Sequence, residues 1–145
     1  MKLLFNAFLL VCSFSAFAQF EDSSGNWRKM ADVKYEVAED EYGEIYVPRF
    51  GEEVKKMEGE RVSLKGFIIP FEGMFEPKRI ILSSLPIAAC FFCGGSGPET
   101  VAEAYLSEEI EYTSKPVTVT GELVLNSTDY NQLMYILKDA TVTVE

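Results

Sequence analysis

The chain has 145 residues, 48% of them apolar, a size and balance suited to one globular domain with a real core. Its formal net charge of −10 sets it against phosphate backbones and anionic lipid surfaces, so nucleic acid is not an expected partner. No histidine occurs anywhere, which removes Ser-His-Asp hydrolysis, c-type haem attachment and any complete zinc site of Cys and His type.

The N-terminus, MKLLFNAFLLVCSFSAFAQF, reads as a secretory signal peptide over residues 1–18. Lys2 is a single-charge leader, residues 3 to 14 are largely apolar but too short to span a bilayer, and Ala16-Phe17-Ala18 is an A-x-A cleavage site. A competing lipoprotein reading makes Cys12 the lipidated residue, but Val11 stands where a small residue is expected. Cleavage after Ala18 takes away Lys2 and no acidic residue, so the mature chain is one unit more acidic still. It also removes Cys12 and leaves Cys90 and Cys93 as the remaining thiols. The expectation is an exported protein, periplasmic or secreted, with residues 19–145 forming one domain and no transmembrane segment.

QFEDSSGN is polar and reads as an unstructured lead-in, with order beginning at Trp27. Val33, Tyr35 and Val37, then Ile45 and Val47, alternate around the acidic turn AEDEYG, which predicts a hairpin over residues 33–47 ended by Pro48. FGEEVKKME predicts a helix over 50–58 with Phe50, Val54 and Met57 on one stripe, a Glu52–Lys56 pair and Gly59 as the C′ residue. Five strands follow. RVSLKGFIIP turns Val62, Leu64 and Gly66 to one side and stops at Pro70. Residues 78–85 are a second apolar run, and residues 99–106 put Ala102, Ala104 and Leu106 on one side. Residues 116–126 face Val117, Val119, Gly121, Leu123 and Leu125 inward, and DATVTVE faces Ala140, Val142 and Val144 inward. STDYNQLMYIL, 127–137, reads as a short helical turn followed by the start of the last strand.

Five strands in so short a stretch need an arrangement that hides their edges. The mid-strand glycines Gly66 and Gly121 suit the bends of a closed barrel. The expected fold is mostly β: a five-stranded OB-like barrel with a short helix and an N-terminal hairpin, with an open sandwich as the alternative.

The segments EGERVSLKGFIIP, ILSSLP, CFFCGGSGPETV, VTVTGELVLN and YILKDATV together resemble a family of short exported bacterial proteins. The resemblance spans about residues 48 to 143. It implies an OB-like core and a place in the bacterial envelope, and no reaction. Some relatives stand near metal transport.

The loop CFFCGGSGPE carries the most distinctive chemistry. A thioredoxin-type thiol needs an activating helix N-terminus, and with Gly94, Gly95, Gly97 and Pro98 directly after the pair no helix is expected to start on it. A Cys90–Cys93 disulfide suits an exported protein and rigidifies the loop. Two thiolates also suit a soft ion, copper or zinc, with Met74, Glu99 or Glu103 as candidate further ligands. A free thiol pair acting in redox exchange is the third reading. Phe91 and Phe92 read as packing residues or as an aromatic contact for a partner. The glycines read as a tight turn or as an anion-binding nest. The carboxylate pairs at Glu52-Glu53 and Glu108-Glu109 read as solvated faces, and Asn126-Ser127-Thr128 as a glycosylation sequon. The whole reads as a non-enzymatic binding or accessory module whose partner is a protein or a metal ion. Soft-metal binding and thiol–disulfide exchange are the alternatives.

Overall fold

The computed structural model describes residues 23–145. The expected signal peptide, the candidate lipidation at Cys12 and residues 19–22 lie outside the described residues. An α-helix, α1 (Ser23–Met30), leads into β1 (Val33–Asp40) and β2 (Gly43–Phe50), which pair antiparallel with each other and, among the described residues, with no other strand. After α2 (Glu52–Lys55) come β3 (Arg61–Ile68), β4 (Phe75–Glu76), β5 (Arg79–Ser83), β6 (Val101–Leu106), β7 (Val117–Leu125) and β8 (Tyr135–Val144).

Five of these close a barrel in the order β3-β7-β8-β6-β5, and β5 pairs back onto β3. The β6–β8 pairing is parallel and the others are antiparallel. Counted within the barrel the strands run 1-2-3-5-4-1, the OB-like arrangement. Alternation is the cause. In β3, Val62, Leu64, Gly66 and Ile68 are buried while Arg61 and Lys65 are exposed, and β7 buries Val117, Val119, Gly121 and Leu123 in the same rhythm.

Both mid-strand glycines sit where backbone approaches closely. A Cβ on Gly66 would run into the Ser83 carbonyl at the β3–β5 closure. A Cβ on Gly121 would lie 2.9 Å from both Ala140 Cβ and Lys138 O. Gly121 stands at the register shift between β7 and β8, facing two residues, Asp139 and Ala140, and Asp139 takes up a φ of +46°.

Several elements differ from expectation. Ser23–Met30 is helical, not an unstructured lead-in. Its polar residues are held by tertiary hydrogen bonds: Asn26 Nδ2 donates to Ser63 O at 3.0 Å and Trp27 Nε1 to Lys65 O at 2.8 Å. Met30 is buried, and its carbonyl accepts from the Tyr135 hydroxyl. Burial holds that hydroxyl's pKa above the tyrosine range, so it stays a donor. Pro48 does not end the hairpin; β2 continues to Phe50, with Pro48 opposite Tyr35. A two-stranded ribbon leaves alternate N–H groups of each strand without a ladder partner, so proline fits there. The second helix shrinks to Glu52–Lys55 with Lys56 as its C-cap, so Gly59 is not its C′ residue; it ends the following turn with φ +80° and donates its N–H to Leu123 O. Val54 and Met57 are buried as the stripe requires, while Phe50 joins β2 and still packs on the core. Lys56 pairs with Glu53, and Lys55 with Glu52, in place of the expected Glu52–Lys56 pair. Residues 127–134 form bends and turns without a helix, and Val144 is exposed.

The barrel interior is one core. A second, smaller cluster of Ile69, Ile81, Cys90 and Val101 lies apart from it. Ile81 and Val101 alternate with the interior positions of β5 and β6, so this cluster sits on their outer side. There the connection between β5 and β6, residues 84–100, folds back and covers what would otherwise face water.

Candidate functional site

The Cys90–Pro98 loop is built from short 3₁₀ turns. Cys90 precedes the turn Phe91–Cys93, and Gly94 follows it with φ +80°. No helix was expected to start on the pair, yet a single 3₁₀ turn does, with Cys90 at its N-cap; one such turn is too short to supply an α-helix's N-terminal dipole. Cys90 O accepts from Cys93 N at 3.1 Å and Gly95 N at 3.2 Å, while Gly94 N donates to Phe91 O at 2.9 Å. These N–H groups are spent on carbonyls, so they do not form the anion nest. Gly95 is required by space, since a Cβ there would lie 2.6 Å from Ala89 O. A Cβ on Gly97 would meet the Glu99 carboxylate.

Cys90 is buried and Cys93 is exposed. Their sulfurs share a hydrogen bond at 3.8 Å. That bond, ahead of burial, holds the Cys93 thiol above its ordinary pKa, the opposite of the activation a nucleophilic thiolate needs.

The other candidate ligands are placed differently. Met74 packs on the cluster that contains Cys90. Glu99 accepts a hydrogen bond from the Tyr35 hydroxyl at 3.1 Å. Glu103 is 1% exposed. Its Oε1 accepts from Arg79 Nε at 2.6 Å and Tyr105 Oη at 2.8 Å, and its Oε2 from Leu133 N at 3.1 Å. Arg79 also donates to Gly73 O, and its pKa is raised first by the bond to Glu103. Among the described residues no three Cys, Asp or Glu side chains gather as a metal site. The structure therefore brings the two cysteines together, with Met74 in the same cluster, and engages Glu99 and Glu103 elsewhere.

Phe91 and Phe92 pack edge to face at 5.3 Å over the second cluster, and both are half-buried. Each looks into a different depression. Phe92 borders a small cleft of about 270 Å³ with Met74, Arg79 and Glu103. Phe91 borders a larger groove of about 550 Å³. The groove's walls are Tyr35, Tyr46 and Pro48 of the hairpin on one side, Pro98 on another, and Tyr130, Leu133 and Met134 of the β7–β8 loop on the third. It is predominantly apolar, with Asn126, Ser127, Asp129 and Gln132 as its non-aromatic polar residues. The volume falls in the range of small-molecule and peptide sites.

No protein-family model matches this chain, and no curated protein or solved structure does either. The site therefore stands on its own geometry.

Sequence reasoning singled out one wall of this groove, the cysteine loop, and missed the others. Asn126 appeared only as a sequon residue. In the fold its Nδ2 donates to Asp129 O, Gln132 O and Leu133 O, and its Oδ1 accepts from Thr128 N and Asp129 N. One side chain thus shapes the loop that forms the third wall. Residues 126–131 are rich in Asn, Asp and Ser, a turn signal that could have pointed to it. Among the described residues no helix is long and apolar enough to cross a membrane.

Proposed function

We propose that this protein is an exported binding or accessory module of the bacterial envelope, and that its binding surface is the aromatic groove bordered by the Cys90–Pro98 loop. The observation that carries the reading is the groove itself: about 550 Å³, walled by three separate segments, with Tyr46 still 68% exposed at its mouth. Apolar clefts with a few convergent polar groups are where ligands bind. The signal peptide and the family resemblance support the location. The net charge argues against nucleic acid although OB-like barrels often bind it.

The test uses the neutral apolar fluorophore N-phenyl-1-naphthylamine with the mature protein. The reading expects saturable fluorescence enhancement that falls at least about fivefold in affinity for Phe91→Ser and for Tyr46→Ser, as loss of one buried aromatic contact implies. Binding unchanged in both variants, or no binding, would remove the groove as a site.

The 3.8 Å separation of the sulfurs favours a second state of the same loop, a Cys90–Cys93 disulfide. Forming it joins the two sulfurs, and the two thiol protons and two electrons pass to the disulfide oxidant of the compartment. Protein purified from periplasm without reductant is then about 2 Da lighter than the reduced chain, for two hydrogens lost. A copper or zinc adduct in the native mass spectrum, lost on denaturation, would instead mark the loop as a soft-metal clamp.

A further inference from the structure

The hairpin wall of the groove does not stop where the groove stops. Successive side chains of a strand alternate faces, so Val33, Tyr35, Val37 and Glu39 share one face of β1. The register sets Phe50, Pro48, Tyr46 and Glu44 opposite them on β2. Tyr35, Pro48 and Tyr46 of this face line the groove. One step further out, Val37 is 56% exposed. Two residues beyond the Val37–Tyr46 pair, Glu39 stands directly opposite Glu44.

Two like charges opposite each other on a ribbon destabilise it. Among the described residues neither carboxylate has a basic partner. The ribbon's cations, Lys34 and Arg49, lie on its other face, where Arg49 Nε pairs with Glu36 at 2.7 Å. The hairpin face is therefore apolar at the groove and uncompensated negative at its tip. Among the described residues each of its strands has only one neighbour, so there β1 and β2 each keep a free edge of backbone donors and acceptors. An extended polypeptide can use such an edge for main-chain hydrogen bonds and the adjacent face for side-chain pockets.

We propose that the groove receives an extended segment of a partner protein, with an aromatic or branched aliphatic side chain between Tyr46 and Phe91 and a Lys or Arg about two residues further along, roughly 7 Å in an extended chain, beside Glu39 and Glu44. The inference rests on the groove being a binding site and adds the class of its occupant. Charge complementarity carries it: the pair of bare carboxylates repels phosphate and acidic peptides and favours a cation flanking an apolar anchor.

The experiment is a selection of random dodecapeptides displayed on phage against the mature protein at low salt. The expected result is enrichment of sequences carrying an apolar anchor with Lys or Arg two residues away. The best peptide, made synthetically and labelled, then binds about tenfold more weakly to the Glu39→Gln/Glu44→Gln protein, and more weakly in high salt. That double substitution also relieves the like-charge pair, so an unchanged or raised melting temperature shows that the variant is folded. Enrichment without a basic residue, enrichment of acidic peptides, no enrichment, or equal affinity for the double variant would each overturn the proposal. The fluorophore separates the two claims. If it binds wild type and is lost in Phe91→Ser while the selection fails, only the partner class falls. If it does not bind at all, the groove falls too.

Discussion

Cys90 and Cys93 lie in one 3₁₀ turn with their sulfurs 3.8 Å apart, yet the first is buried in the second apolar cluster and the second faces solvent. The two thiols therefore contribute different things. Cys90 behaves as a small core residue. Under reducing conditions Cys90→Ala should lower unfolding stability by about 1–2 kcal/mol, and Cys93→Ser should change it by less than about 0.5 kcal/mol. Urea melts of the two variants check this, and equal losses would contradict the asymmetry.

The same pair gives a pH prediction. The interaction with Cys90, through the hydrogen bond between the two sulfurs, raises the Cys93 pKa, so its thiolate appears only above the ordinary thiol range. The alkylation rate of Cys93 by iodoacetamide should rise with pH through a midpoint above that of a free cysteine peptide. In Cys90→Ala the bond is gone, the midpoint moves down, and alkylation at fixed neutral pH becomes faster.

Glu103 is held by Arg79 Nε at 2.6 Å with its carboxylate almost wholly shielded. Removing the cation strands a buried charge. Arg79→Met should cost about 3 kcal/mol, toward the lower end for broken buried pairs because Arg79 is partly exposed. Glu103→Leu in the same protein should restore part of the loss, leaving the Leu133 N–H and Tyr105 hydroxyl to be satisfied otherwise. A double-mutant cycle in urea measures the coupling, and strict additivity would show that the pair does not act as one unit.

Two backbone positions should respond in opposite directions. Gly66→Ala forces a Cβ into the Ser83 carbonyl at the barrel closure and should cost about 2–3 kcal/mol. Asp139 carries a left-handed φ of +46° opposite Gly121, so Asp139→Gly should stabilise by about 0.5–1 kcal/mol. Thermal melts of both variants give the signs directly.

The barrel was legible in the sequence because one side of each strand is buried and the other is wet, and alternation records that difference. Gly66 and Gly121 were legible because only close backbone approach makes a mid-strand glycine useful. The first helix was not. Its buried side is Asn26 and Met30, with Trp27 beside them, and two of these three are fixed by hydrogen bonds to strand carbonyls about forty residues away, which a hydropathy stripe does not report. Glu103 read as a candidate metal ligand, and its true partner was hidden because Arg79 is 24 residues upstream and comes beside it only when β5 pairs with β6. The groove was legible at a single wall. Tyr35 and Tyr46, Phe91, and Leu133 with Met134 come from three distant segments that meet only after the hairpin and both loops have docked.

The most direct test of the binding-module reading is a 1H–15N NMR titration of the mature protein with N-phenyl-1-naphthylamine. The account predicts saturable shifts centred on the amides of Tyr35, Tyr46, Phe91, Leu133 and Met134, with those near Lys115 and Glu145 unmoved. Shifts spread over the whole barrel, or confined to the Arg79–Glu103 cleft, would contradict it.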